Sequence, residues 1–250
     1  MKQGNFTFCY VITLGEIPFA DARTFQESLA AKIADGIQPP TLLLLEHPHT
    51  FTFGRRGQEE NLLWNREELA ARNIEIHWID RGGDVTYHGP GQLVGYPLLP
   101  LGKLNSSGRL PQADYVGYVR RLEEVLIQSL AKLELASTQI ADLPGVWVQP
   151  DVASRSPRCP PAARKTPSKI AAIGVKVDAL GVSRHGFALN VDPDMSYWEG
   201  IVACGLVDHP SIALADLLDP IPSMASVQDA VIETFGEVFG CEMRRQAASM

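Results

Sequence analysis

Cysteine is scarce: Cys9, Cys159, Cys204 and Cys241 are widely scattered, with no CxxC pair and no histidine at ligand spacing. That argues against a zinc site and against a disulfide framework, and reduced thiols fit a cytoplasmic protein. Long hydrophobic runs are missing too, so no segment reaches the length that spans a bilayer. Met1 to Gly15 carries one lysine and an apolar stretch broken by Thr7, Thr13 and Gly15, and no signal peptide is expected. Basic residues are not in excess. The net charge is −7, a poor starting point for nucleic-acid binding, which needs clustered Lys and Arg against phosphates. Internal repeats, a GxGxxG fingerprint and a Walker loop are absent, so nucleotide binding does not follow. What is present is ordinary for a globular chain: 250 residues, 45% apolar and 20% charged, enough for one large domain or two small ones.

Hydrophobic spacing gives a coarse map. Phe6 to Leu14 alternates as a half-buried strand, and Asp21 to Asp35 places Phe25, Leu29 and Ile33 on one helical face before Gly36. Thr41 to Glu46 holds four consecutive leucines between Pro40 and Pro48, which suits a buried strand better than a helix. Asn65 with Glu68 forms a capping box for a short helix to Asn73, followed by a strand from Ile74 to Ile79. Gln92 to Leu99 reads as a strand. Gln112 to Leu135 is the clearest helix, with Tyr115, Val119, Leu122, Leu126, Leu130 and Leu133 in one stripe. Gly145 to Gln149 is strand-like, and Lys169 to Val177 and Val182 to Val191 form a hairpin turning at Gly181. Ser226 caps a last helix closed by Gly240. Residues 150–168, rich in Pro, Ser and Ala with four basic residues, read as a flexible surface loop. Strands and helices mix without regular βαβ alternation, so the expected class is α+β.

The densest special feature is Arg81-Gly-Gly-Asp-Val-Thr-Tyr-His-Gly-Pro-Gly-Gln92. Glycines let the backbone approach a ligand, and exposed N–H groups then cradle an oxygen. A tight turn with a structural histidine is the plainer alternative, but the polar residues among the glycines favour a site. Cys204, between Ala203 and Gly205, is the most approachable of the four thiols; an inert buried cysteine is the competing reading. Cys9 has that inert character within a strand. Lys169 at a strand edge is either a solvated charge or a cation that holds a neighbouring thiolate. His47 and His49 around Pro48 suit a strand-end turn better than a metal, since no third ligand is evident, and His185 beside Gly186 either lines a site or is a satisfied core histidine.

The order of these segments resembles one family. Arg81-Gly-Gly-Asp-Val-Thr-Tyr-His with Gln92 and Tyr96-Pro97 is similar to the signature of the octanoyltransferases of lipoate biosynthesis (LipB). The order continues through Glu46-His-Pro, Gly145-Val-Trp-Val, Lys169-Ile-Ala-Ala-Ile-Gly-Val, His185-Gly-Phe-Ala-Leu-Asn-Val and Ala203-Cys-Gly, from about Leu42 to Leu217. The resemblance implies a single catalytic domain over 1–250, with the biotin and lipoate protein ligase fold: a mixed sheet flanked by helices. It implies transfer of octanoyl from the phosphopantetheine arm of acyl carrier protein to a lysine of a lipoyl domain, in 2-oxoacid dehydrogenase complexes and the glycine cleavage H protein. No cofactor, metal, nucleic acid or membrane is involved, and the protein is expected to be a cytoplasmic monomer. The acyl group rests on a cysteine tuned by a lysine, roles that fall on Cys204 and Lys169. Substrate contacts fall on Arg81, Gly82, Gly83, Asp84, Val85, Thr86, Tyr87 and His88, on Ala172, Ile173 and Gly174, and on Gly186, Phe187 and Ala188.

The implied chemistry suits these residue types. Thioester exchange is nearly isoenergetic and thioester to amide is downhill, so no ATP is needed. At ~0.8 kcal/mol per buried CH₂, the six methylenes of an octanoyl chain supply roughly 5 kcal/mol in an apolar slot. Two departures from the family pattern stand out: 150–168 is longer than expected, and Ala203 replaces a proline common before the cysteine. Arg155, Arg158, Arg164 and Lys165 offer a basic surface to an acidic carrier protein, against the alternative of a mobile solvated loop.

Overall fold

The computed structural model describes residues 6–102, 115–205 and 209–248. In chain order the elements are β1 (Phe8–Glu16), α1 (Phe19–Ala34), β2 (Thr41–Glu46), β3 (Thr50–Phe53), α2 (Arg66–Ala71), β4 (Glu75–Trp78), β5 (Val85–His88) and β6 (Gln92–Leu98). They continue with α3 (Tyr115–Lys132), β7 (Thr138–Ile140), β8 (Leu143–Val148), α4 (Pro150–Ala153), β9 (Ser168–Val177), β10 (Ser183–Asn190), α5 (Met224–Phe239) and β11 (Glu242–Arg245). Among the described residues, one sheet runs β11-β1-β2-β6-β10-β9-β8-β7, and a smaller one runs β4-β3-β5. The large sheet is mixed. β1 is parallel to both β11 and β2, and the pairs from β2 to β7 are antiparallel.

The leucine run explains the layering. Leu42 and Leu44 enter a core shared with α3 and α5, while Leu43 and Leu45 enter the core under α1. A strand covered on both faces has no polar side, so it reads as a continuous apolar run. The fold is therefore α+β, a mixed sheet flanked by helices. A third apolar cluster, with Phe51, Phe53, Val85 and Tyr87, belongs to the small sheet.

Local signals hold with small shifts. The capping box is present: Asn65 Oδ1 accepts from Glu67 and Glu68 N–H, and Glu68 Oε2 accepts from Asn65 N–H. α1 begins two residues before Asp21, straight after Pro18, and this buries Phe19. The start expected for the long helix at Gln112 lies outside the described residues. The cap of α5 is Ser223 rather than Ser226. Ser223 Oγ accepts from Ser226 N–H, so Ser226 is already inside the first turn, and Gly240 closes the helix in the left-handed region at φ 68°. The β9–β10 hairpin turns at Gly181 as the sequence suggests.

Residues 150–168 differ from the surface loop that their composition suggests. α4 opens the segment, and Ala153, Cys159 and Ala163 are buried in the α3–α5 core. Arg164 donates to the carbonyls of Cys159, Ser156 and Pro157, and Arg158 donates to Leu218 O. Arg155 lies 3.5 Å from Asp151. Three of the four basic residues are thus engaged within the chain.

Candidate active site

The glycine motif is folded in two parts. Residues 81–84 form a loop tied to the turn after β3: Arg55 N–H donates to Arg81 O, Arg56 N–H to Gly83 O and Gly54 N–H to Asp84 O. Gly82 N–H donates to Val175 O, which fastens the loop across β9. Gly174 permits this closeness, since a β-carbon there would lie 2.9 Å from Arg81 Cδ and 3.1 Å from Gly82 O. Residues 85–88 then become β5. The side chains of Val85 and Tyr87 face the small-sheet core, and those of Thr86 and His88 face the opposite way.

Behind the loop lies a narrow cavity of about 50 Å³. Of the residues singled out from sequence, Arg81, Gly83, Thr86, His88, Ala172, Ile173, Gly174, Gly186, Phe187 and Ala188 line it. Phe19, Ile79, Tyr96 and His185 complete the wall; sequence reading placed none of the first three there. Thr86 Oγ1 is buried with no hydrogen-bond partner among the described residues, so it is open to a substrate oxygen.

A wider vestibule of about 440 Å³ adjoins the slot and shares Gly83, Ile173 and Gly174 with it. Lys169 opens into this vestibule, with Gly82, Asp84 and Val175 also on its wall. Its Nζ lies 4.7 Å from the Trp147 ring centre, a cation–π contact. Gly145 makes room for the lysine: at φ 126°, a β-carbon would sit 3.3 Å from Lys169 Cε and 2.6 Å from Ala171 O.

Cys204 lies in a 3₁₀ turn, Ala203–Gly205, packed on β5. The α-carbon of Gly205 faces Asp84, since a β-carbon there would be 3.5 Å from Asp84 Oδ2. Downstream, Pro210 to Ile212 runs beside Lys169: Lys169 N–H donates to Pro210 O and Ile212 N–H donates to Lys169 O. The Cys204 turn thus meets the vestibule through Asp84, which stands on the same wall as Lys169, while residues 210–212 run beside the Lys169 backbone. The other thiols are poor nucleophiles. Burial pushes the Cys9 and Cys159 thiols up and raises Cys241 to about 11.

A polar chain with one direction runs under the slot. Arg81 Nη2 donates to Thr52 Oγ1 at 2.9 Å, and Thr52 in turn donates to His88 Nε2 at 3.3 Å. His88 Nδ1–H donates to Gln92 Oε1 at 2.8 Å. Gln92 Nε2 donates to Tyr87 O and Asn190 Oδ1, and Asn190 Nδ2 donates to Ile212 O. The terminal carbonyls accept only, so every amide and the His88 tautomer are fixed by what they face. Burial holds His88 well below its usual pKa, hence neutral.

His47 and His49 belong to no metal cluster among the described residues. His47 Nδ1–H donates to Ile17 O and Nε2 accepts from Tyr96 O–H, both at 2.7 Å. Burial lowers His47 from 6.5 to about 4. Below pH 6.5 the unfolded chain takes up a proton that the folded chain refuses, so stability present above pH 6.5 is lost as pH falls. His47 alone is expected to cost about 2 kcal/mol between pH 7.5 and pH 5. Urea unfolding at the two pH values checks this, and His47→Phe should flatten that part of the profile. His185, at φ 58°, reaches Asp80 Oδ1 with Nε2 at 3.2 Å and is also held low by burial.

Comparison with known proteins agrees with this geometry. A family model described as the lipoyl protein ligase A/B catalytic domain matches residues 18–236. The octanoyltransferase of Chloroflexus aurantiacus is 43% identical over 237 residues, covering 95% of this chain and 96% of its own. The chain belongs to the octanoyltransferase family. Another member, from Koribacter versatilis, is 38% identical over 92% of this chain and 83% of its own. The family fold extends to the bipartite lipoate protein ligase of Thermoplasma acidophilum, whose structure, solved in work on that ligase and its E2 lipoyl domain, aligns with a TM-score of 0.69 at 17% identity, covering 98% of this chain and 88% of that one.

Proposed function

We propose that this acyltransferase moves octanoyl from acyl carrier protein to a lysine of lipoyl domains through a thioester on Cys204, the first step of protein lipoylation. The observation that carries the reading is the shared wall of Gly83, Ile173 and Gly174, which joins a narrow apolar slot to the vestibule holding Lys169. The slot takes the end of the octanoyl tail, and the rest of the chain with the reacting carbonyl extends into the vestibule. Lys169 accepts the Cys204 proton, and the ammonium then holds the thiolate. The thiolate attacks the carbonyl carbon, and Thr86 Oγ1 and the loop N–H groups other than those of Gly82 and Val85, which are already committed, are the donors available to the oxyanion. The bond to the carrier sulfur breaks, and that sulfur leaves with the proton from Lys169. A neutral lysine of the lipoyl domain then attacks the Cys204 thioester, loses its proton through Lys169, and releases the Cys204 thiol as the amide forms. Its partners are octanoyl-loaded carrier protein and lipoyl domains, and the protein works in the cytoplasm as a monomer without a cofactor.

The test is intact-mass spectrometry after mixing with octanoyl-loaded carrier protein. One octanoyl adduct is expected on Cys204 and none on Cys204→Ala. Transfer only with ATP and free octanoate, or an adduct on another residue, would overturn the mechanism.

A further inference from the structure

The Asp84 carboxylate stands at the vestibule wall, where a charged group invites a role in holding substrate. Its oxygens are already occupied. Oδ1 accepts from Gln58 N–H at 3.2 Å and Val85 N–H at 2.7 Å, and Oδ2 accepts from Asn61 Nδ2 at 2.5 Å. Asn61 in turn accepts Val202 N–H on its carbonyl at 2.8 Å, two residues before Cys204. Leu63 N–H donates to Gly200 O, and Leu62 bridges Ile201. The segment entering the Cys204 turn is thus laid along residues 61–63, and that segment is pinned to the glycine loop by one side-chain pair. Gly205, leaving the turn, passes over the same carboxylate.

We infer that Asn61 and Asp84 are positioning residues that fix the backbone of the Cys204 turn against the glycine loop, whose Gly82, Gly83 and Asp84 share the vestibule wall with Lys169; this rests on the thioester role proposed for Cys204. A hydrogen bond between a carboxylate and an amide defines the spacing, and a small misplacement of a reacting group is costly in rate. Neither side chain meets the acyl group in this reading.

The pairing predicts a reciprocal rescue. Asn61→Asp sets two carboxylates against each other and drives the turn off the loop. The swap Asn61→Asp with Asp84→Asn restores one donor facing one acceptor, while the new Oδ1 at 84 still accepts from Gln58 and Val85. Asn61→Asp is expected to lower kcat by about 100-fold with KM for the octanoyl donor within about twofold, and the swap to recover to within about fivefold of the parent. Asn61→Ala, which adds no charge, should lose kcat by about 10-fold. The readout that needs no acyl transfer is the pH dependence of Cys204 alkylation by iodoacetamide, followed by peptide mass. Its midpoint should rise in Asn61→Asp and in Asn61→Ala, and return in the swap. Thermal melting of each variant separates misfolding from mispositioning, with the swap as folded control. A folded swap as slow as Asn61→Asp, or an unchanged alkylation midpoint in Asn61→Ala, would overturn the inference. Failure of the parent to form the Cys204 adduct would instead overturn the thioester reading and leave the alkylation result standing.

Discussion

Cys204→Ala is expected to lower octanoyl transfer by about 10⁴-fold or more, and Lys169→Met by about 10²- to 10⁴-fold. In the proposed mechanism the first removes the atom that carries the acyl group. The second leaves that atom in place but removes the base proposed to free it and the cation proposed to hold it. Residues that act as a unit are not additive, so the double variant should fall no further than Cys204→Ala. Lys169→Arg divides the two duties. A guanidinium keeps a positive charge near the Trp147 face but does not give up its proton. It should preserve part of the thiolate, read as alkylation at low pH, while transfer stays close to that of Lys169→Met. Single-turnover transfer from octanoyl-loaded carrier protein to a lipoyl domain measures all four variants. Lys169→Met turning over within tenfold of the parent would remove Lys169 from the mechanism.

Gly186→Ala is expected to destabilise the fold by about 3 kcal/mol, at the upper end of what overpacking costs, and to close the slot. The added carbon would stand 2.1 Å from Gly95 O and 2.6 Å from Pro97 Cδ. Gly95 is fixed by its pairing with Phe187 of β10 and Pro97 by its pairing with Leu42 of β2, so the strands must part. Gly36→Ala is the control. Gly36 has a positive φ, 71°, which Gly186 lacks, but nothing lies within 4 Å of its missing β-carbon, so its cost should be near 1 kcal/mol. Urea midpoints compare the two, and octanoyl loading by intact mass reports the slot. Equal destabilisation would mean that the close approach of β6 does not set the requirement at Gly186.

Local features of this fold were legible in the sequence because their physics is local. The capping box at Asn65, the Gly240 stop, the hairpin at Gly181 and the leucine strand each depend on residues within a few positions. The cap expected at Ser226 lies instead at Ser223, because a serine at either position suits a cap and the sequence pattern does not fix the first turn of α5. Residues 150–168 misled because proline and serine signal a loop, while three small buried residues dispersed among them supply the packing. The site was legible in part. The glycine motif announced itself by composition, and ten of the residues singled out line the slot. Phe19 and Asn61 went unmarked, and Tyr96 was marked only as part of the family signature, because their importance lies in what they meet across the fold. The pairing of Tyr96 with His47 spans 49 positions and that of Asn61 with Asp84 spans 23.

The directed polar chain under the slot has a consequence for the ring at its centre. His88 has the residue type most often recruited to move protons, yet both of its nitrogens are committed, one giving to Gln92 and one receiving from Thr52. To take a proton, the ring would have to break that sequence at a point with no water-facing alternative. His88, on the slot wall, is therefore chemically mute. In the proposed mechanism this wall gives the thioester no second proton-moving group in His88, so activation of the acceptor and protonation of the leaving sulfur both fall to Lys169.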